Sequence, residues 1–251
     1  MNIRLTALTV IMTIVAPAAL ADVSSQATFP SAEAASHALF VAAKNHDEMA
    51  IGQILGATQT AAERRDEERL EHEQFAKKYE EMHRLARERK GRRVLYIGAE
   101  NWPFPIPLIE QNDTWRFDFA TGEQEILFRR IGENELTAIE VCRALATAAR
   151  DPKAHQDDDL LATLLTDAQR DGTPTLYRGY HFRVLNRGRT GFTVIAYPSV
   201  YRSSGVMTFI ASQHADVYAK DLGANTPELA KAIETYHPDK SWRKESAAGS
   251  P

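Results

Sequence analysis

Cysteine is nearly absent from this chain: Cys142 is the only one in 251 residues. No intramolecular disulfide can form, so packing alone must hold the fold. Cys142 lies in a helical pattern and is expected to be a buried thiol that acts as a small apolar residue. An excess of positive charge is also missing. Thirty Lys and Arg stand against 34 Asp and Glu, for a net charge of −4. Nucleic-acid binding needs a basic stripe, so no nucleic-acid partner is expected. The eight histidines show no metal-ligand spacing, and neither a metal nor a cofactor is expected. Gly188 and Gly191 are too sparse for a phosphate loop, and Ser203-Ser204-Gly205 is not the Gly-x-Ser-x-Gly of a nucleophile elbow.

Long apolar runs are missing too, except for Leu5 to Val15 (LTALTVIMTIV). This stretch falls short of the roughly 20 residues that a membrane-spanning helix needs. Arg4 precedes it, Pro17 ends it, and Ala19-Leu20-Ala21 supplies the small residues that a signal peptidase reads. Residues 1–21 are therefore expected to be a cleaved secretory signal. The mature protein is expected to be periplasmic or secreted, with no membrane span after cleavage. Removing this segment takes away Arg4 alone among the charged residues and moves the net charge from −4 to −5.

The remainder predicts an α+β fold. Residues 22–122 form an N-terminal unit: a flexible start over 22–30, a helical hairpin, a charged helix over 62–90 and a small antiparallel sheet. Ser31 caps the first helix of the hairpin, and Gly56 ends the second. In the charged segment, 20 of the 31 residues from Glu63 to Arg93 are charged, while Phe75, Tyr79, Met82 and Ala86 trace one apolar stripe. A coiled-coil or partner-binding helix is one reading, but the stripe is too short for sustained heptads. A helix docked on its own domain is favoured, ended by Gly91. Trp102-Pro-Phe-Pro-Ile-Pro107 predicts an extended path, and Trp115, Phe117 and Phe119 alternate as a strand closed by Thr121-Gly122.

Residues 123–240 form a second unit: a long linking helix from Glu123, with Gly132 as its expected break point, then an antiparallel β-meander with a terminal helix. Asp151-Pro152 stops the linking helix, and Asp159 caps a short helix through Leu165. Tyr177 to Leu185 reads as one strand, Phe192 to Tyr197 as the second, Val206 to Ser212 as the third and Asp216 to Lys220 as the fourth. Thr226-Pro227 opens the last helix. Residues 241–251 are expected to be a disordered tail.

Candidate binding residues are few. Arg129, Arg130, Glu133, Asn134 and Glu135 are the densest polar cluster on the linking helix, and Arg suits bidentate recognition of a carboxylate. The bland alternative is a salt-bridged hinge around Gly132, and it is favoured. Trp102 is a recognition strip if exposed and a rigid sheet edge if buried. His181 faces opposite to Tyr180 and Phe182 on a strand and lacks converging ligands. Together, Arg129, Arg130, Glu133, Asn134, Trp102 and His181 are the candidate ligand contacts.

Two groups of segments carry a family resemblance. One runs from Asn101-Trp-Pro-Phe-Pro-Ile-Pro-Leu through Trp115-Arg-Phe-Asp to Arg129-Arg-Ile-Gly-Glu-Asn-Glu-Leu136. The other holds Tyr180-His-Phe-Arg-Val-Leu185, Gly191-Phe to Ala196-Tyr-Pro198, Gly205-Val-Met-Thr-Phe209 and Lys220-Asp-Leu-Gly223. Together they resemble the bacterial exported family catalogued as domain of unknown function 2950. The resemblance implies a signal peptide and an envelope location, and it implies no activity. The chain departs from the family between Arg150 and Tyr177, where family members carry a longer Gly- and Pro-rich stretch. The helical hairpin before the Trp115 sheet also resembles the cone of nuclear-transport-factor-2-like domains. The helix at Asn134-Glu135 before a meander resembles the globular part of type IV pilins, although no pilin-type leader is present. The expected function is a non-enzymatic envelope protein that binds a partner protein or a small ligand. A hydrolase or isomerase with a pocket in the N-terminal unit is the alternative.

Overall fold

The computed structural model describes residues 26–56, 65–88, 91–150, 174–186, 192–212, 214–235 and 238–246. The signal segment, the connector over 153–159, the helix expected after Asp159 and the turn at Arg187-Gly188 lie outside them. The chain divides into two compact units, residues 1–127 and 128–251.

In the first unit, helices α1 (Ala32–Lys44) and α2 (Glu48–Leu55) form the expected hairpin. Ser31 Oγ accepts the Ala34 amide at 3.0 Å, and Asp47 Oδ1 accepts the Ala50 amide at 3.0 Å, so side chains satisfy otherwise orphaned N–H groups at both helix starts. Gly56 closes α2 in the left-handed conformation at φ 75°. The segment ahead of α1 is anchored rather than free. Gln26 Nε2 donates to Phe117 O at 2.8 Å, and Phe29 exchanges backbone hydrogen bonds with Trp115.

Helix α3 (Arg65–Glu81) is shorter than its charge pattern predicts. The Gly98 amide donates to the carbonyls of Lys78 and Met82, at 3.0 and 2.9 Å, and ties the end of the helix to the turn after β2. Residues 83–87 leave instead as strand β1 (His83–Arg87), antiparallel to β2 (Arg93–Ile97), with Gly91 in the connection. Tertiary pairing overrides a local helix preference here. The charged outer edge that results, with Arg84 over the Tyr96 ring at 4.2 Å, discourages further strand pairing.

β3 (Trp102–Pro103), β4 (Leu108–Gln111) and β5 (Thr114–Phe117) complete the sheet, in the order β1-β2-β4-β5 with β3 also on β2. The proline-rich run is structural: Phe104, Ile106 and Leu108 are buried, and Phe104 packs near Phe75 and Phe117. Phe119 and Gly122 belong to a helix, not to the strand. Asp118 Oδ2 accepts the Thr121 hydroxyl at 2.7 Å and helps start α4 (Phe119–Arg150). Gly122 is needed because Ile106 lies against it: an added Cβ would stand 2.5 Å from Ile106 Cγ1 and 3.0 Å from its Cα.

Helix α4 is unbroken over 32 residues and runs straight through Gly132, so the expected break does not occur. In the second unit its stretch from Ala138 to Ala146 covers one face of a six-stranded antiparallel sheet. The strands are β6 (Thr175–Tyr177), β7 (Tyr180–Asn186), β8 (Thr193–Pro198), β9 (Met207–Ser212), β10 (Val217–Asp221) and β11 (Arg243–Lys244), ordered β11-β10-β9-β8-β7-β6. Cys142, Leu145, Phe182, Val194 and Phe209 fill this core, each contributing about 1.5–3 kcal/mol if large and apolar. Burial pushes the Cys142 thiol pKa upward, which makes it inert, as expected. The opposite face of the sheet is covered by α5 (Thr226–Ala232), with Ala230 over Ile195 and Tyr197.

Two further expectations fail in this unit. The segment from Tyr177 to Leu185 is a hairpin and not one strand. Arg178 and Gly179 turn at φ 46° and 75°, the doubly positive pattern of a type I′ turn. Within the segment 241–251 expected to be disordered, Arg243 and Lys244 instead pair with Ala219 and Tyr218.

Candidate functional site

Two residues of the polar cluster on α4 reach the loop between β8 and β9. Asn134 Nδ2 donates to Ser204 O at 2.8 Å, and Glu135 Oε1 accepts the amides of Val206 and Met207 at 2.9 and 3.0 Å. The Tyr180 hydroxyl donates to Met207 O at 2.9 Å. Gly179 lies against Asn134 and Ser204, where a Cβ would stand 2.9 Å from both side chains. Asn134, Glu135, Gly179, Tyr180, Gly205 and Met207 therefore come together as a latch that pins the loop between β8 and β9 to the helix. Burial, followed by Glu135 and then Cys142, pushes the Tyr180 pKa upward, so the phenol stays protonated and donates. Arg130 Nε is buried without a hydrogen-bond partner, and Glu133 is half-buried. Arg129 is engaged, like Trp102 in the other unit, which pairs with Ile97 and meets Phe104 edge-on. Within the second unit, Asn134 serves this latch, while His181 lies on strand β7.

The strand registers assemble a different set. Leu176 lies opposite His181, His181 opposite Tyr197, and Thr208 opposite Lys220. The β8–β9 pairing, carried one residue further, sets Tyr197 opposite Thr208. Directly paired residues share a face, so a row of polar side chains crosses the sheet on the α5 side. The His181 and Tyr197 rings stand 5.3 Å apart. Burial, and after it Lys231, lowers the His181 pKa and favours the neutral ring. Arg183, two residues on and on the same face, donates to the carbonyls of Ala230, Lys231 and Ile233 at 2.8, 3.2 and 2.8 Å. It thus caps the end of α5 and fixes that helix to the sheet.

Beside this row, α5 leaves a cleft of about 490 Å³. Ile210, Leu222, Leu229 and Ile233 give it an aliphatic floor; Trp242 and Pro238 form a wall; Lys220, Asp221, Glu234 and Thr235 supply polar groups. The ammonium of Lys220 stands 5.9 Å from the centre of the Trp242 ring. Asp221 is already engaged: Oδ2 accepts the Tyr201 hydroxyl at 3.1 Å, and Oδ1 accepts the Gly223 amide at 2.7 Å. The Asp239-to-Ser241 turn, in which Asp239 accepts the Ser241 amide at 2.8 Å, brings Trp242 into place.

Sequence reasoning missed this site. Trp242 falls in the segment expected to be disordered, and Leu229 and Ile233 belong to the terminal helix, to which no ligand contact is assigned from the sequence. One signal was available. Strand β8 is buried at every position, so both faces of the sheet must be covered, and α5 is the element left to cover the second. Among the described residues no group of three or more His, Cys, Asp or Glu is placed to hold a metal ion.

The fold and cleft define a two-unit α+β protein with a ligand-sized cavity in the second unit. The chain belongs to the family described as "Protein of unknown function (DUF2950)", which it matches over residues 26–170 and 152–245. No curated protein and no solved structure matches it.

Proposed function

We propose that this is an exported protein of the cell envelope that binds a small ligand, without transforming it, in the cleft beside α5. The cleft itself carries the reading. Its volume of about 490 Å³ lies within the roughly 300–1,000 Å³ range of ligand sites, and it combines an apolar floor with a few polar groups at the rim. Arg183 fixes α5 to the sheet, so the floor is organised before a ligand arrives. The polar groups suit binding: Asp221 is tied to Tyr201 and Gly223, and Lys220 sits over an indole. Export is supported by Arg4, the Leu5–Val15 stretch and Ala19-Leu20-Ala21. No helix of the described residues is long and apolar enough to cross a membrane.

A thermal-shift panel of sugars, peptidoglycan fragments, metals and lipids tests the reading. A ligand that binds only the native state raises the melting temperature, by about 2.7 kcal/mol of stabilisation at about 100 times its Kd. A half-exposed position such as Leu229 tolerates Leu229→Trp, which fills the cleft. At least one compound is expected to shift the wild type and to leave this variant unmoved. A shift that persists in the filled variant would place binding elsewhere.

A further inference from the structure

We infer that the β1–β2 hairpin is a docking surface for an anionic phospholipid membrane, held there by guanidinium charge and not by an inserted segment. This does not rest on the cleft, which lies in the other unit. Of the ten residues from Arg84 to Arg93, six are Lys or Arg and one is Glu. The segment therefore carries +5 within a chain of −4, which leaves −9 for the remainder. Arg89 and Lys90 lie outside the described residues and enter only this count. An acidic protein with one basic hairpin turns that hairpin toward a negative surface and its remainder away from it.

The strand register adds a second observation. Arg87 stands directly opposite Arg93. Side chains so paired are about 5 Å apart at Cβ, and like charges there cost stability. Among the described residues neither makes an ion pair with a carboxylate, and nor does Arg84. Asp118 is taken up by Arg92 and Glu100 by Lys78. Glu88 is the one carboxylate inside the hairpin. Neutral groups hold the guanidiniums instead. Arg84 Nε donates to Asn101 Oδ1 at 2.8 Å with its plane over Tyr96, and Arg93 stands 5.9 Å from the centre of the Trp115 ring. These contacts position the charge and leave it unneutralised. A like-charged pair kept in this way awaits negative charge from outside the chain.

Geometry decides the kind of partner. Arg84 and Arg87 are three residues apart on β1, so they lie on opposite faces of the strand. Both are exposed, and Arg93 is half-buried. One small anion cannot meet both faces. A strand of acidic peptide added outside β1 would run two strand spacings, about 9.6 Å, from Arg93. A lipid surface presents many phosphates at once and selects for positive charge near it more than for fit. Each Lys or Arg at such a surface strengthens binding about fivefold.

Sedimentation with vesicles tests this, using the protein purified in cleaved form after expression of the full chain. At low salt it is expected to bind vesicles of phosphatidylglycerol mixed equally with phosphatidylcholine, and not vesicles of phosphatidylcholine alone. Raising the salt should release it. Arg84→Gln, Arg87→Gln and Arg93→Gln combined should weaken binding on the order of a hundredfold, and the three Arg→Lys replacements should retain it. Lys44→Gln, on α1 and outside the hairpin, should leave it unchanged. Arg87→Gln alone should raise the denaturation midpoint, because it relieves the repulsion with Arg93, and so shows that the site is altered without unfolding. Equal binding to both kinds of vesicle, or full binding by the triple Gln variant, overturns the proposal. So does a lowered midpoint for Arg87→Gln, which would reveal a partner for that guanidinium within the protein. Failure to bind the anionic vesicles, with polyglutamate bound in their place, overturns the lipid surface in favour of an acidic protein.

Discussion

Gly205 lies against the phenol of Tyr180 with no room between them for a Cβ. The two residues belong to distant segments, and their contact sets the height of the β8–β9 loop over the sheet. Gly205→Ala should destabilise the protein by about 1–3 kcal/mol through overpacking. Tyr180→Phe leaves the Met207 carbonyl without its donor and should cost about 1 kcal/mol. The double variant should lose less than the sum, because removing the hydroxyl opens space for the alanine. Denaturant midpoints for the four proteins close this cycle, and strict additivity would show that the contact is not as described.

Glu135 should matter more than its half-buried position suggests. Glu135→Ala strands the Val206 and Met207 amides and is expected to cost about 1.5–3 kcal/mol. Glu135→Gln keeps an acceptor oxygen and should cost less. Hydrogen exchange at the two amides is the sensitive readout. It should accelerate in the alanine variant ahead of the remaining amides of β9.

His181 gives stability a pH dependence whose sign follows from its lowered pKa. In the unfolded chain the ring titrates near 6.5, and in the fold it titrates lower because burial opposes the charge. Its stabilising share is therefore complete above the unfolded value and is lost as the pH falls through the lower folded value. Melting temperature followed from about pH 8 down to about pH 5 should fall more steeply in the wild type than in His181→Asn. Parallel curves would contradict this.

Gly122 tests the first unit independently of the second. Its neighbour Ile106 presents a backbone atom as well as its side chain, so a rotamer change cannot relieve the crowding completely. Gly122→Ala should cost about 1–3 kcal/mol, although alanine is the better helix former. A stabilised variant would show that helix propensity outweighs the contact.

Local pattern made much of this fold legible. Ser31 and Gly56 mark the helical hairpin by their own chemistry, and the short apolar runs of β8 and β9, with the alternation of β10, mark the meander. What failed depended on distant partners. Residues 83–87 carry helix-favouring Arg, Leu and Ala, and only β2 makes them a strand. Arg178-Gly179 is an uncommon pair for a tight hairpin, and the reason for the glycine lies 45 residues earlier at Asn134. The candidate site was the least legible part. Asn134 stands out in the sequence as part of the polar cluster on the linking helix, and His181 by facing opposite to Tyr180 and Phe182. Asn134 serves the latch, and His181 sits in the polar row. The cleft joins β9, β10, α5 and Trp242, and no spacing within any one of these announces it.

The claim that binding occurs in the second unit is tested most directly by the indole N–H resonances of the three tryptophans, Trp102, Trp115 and Trp242. Each is assigned by its loss in the corresponding Trp→Phe variant and followed while the best compound of the thermal-shift panel is titrated. The account predicts that the Trp242 resonance moves with saturable dependence, and that those of Trp102 and Trp115, which belong to the first unit, stay in place. Movement of Trp102 or Trp115 with Trp242 unmoved would contradict it and locate the ligand in the N-terminal unit.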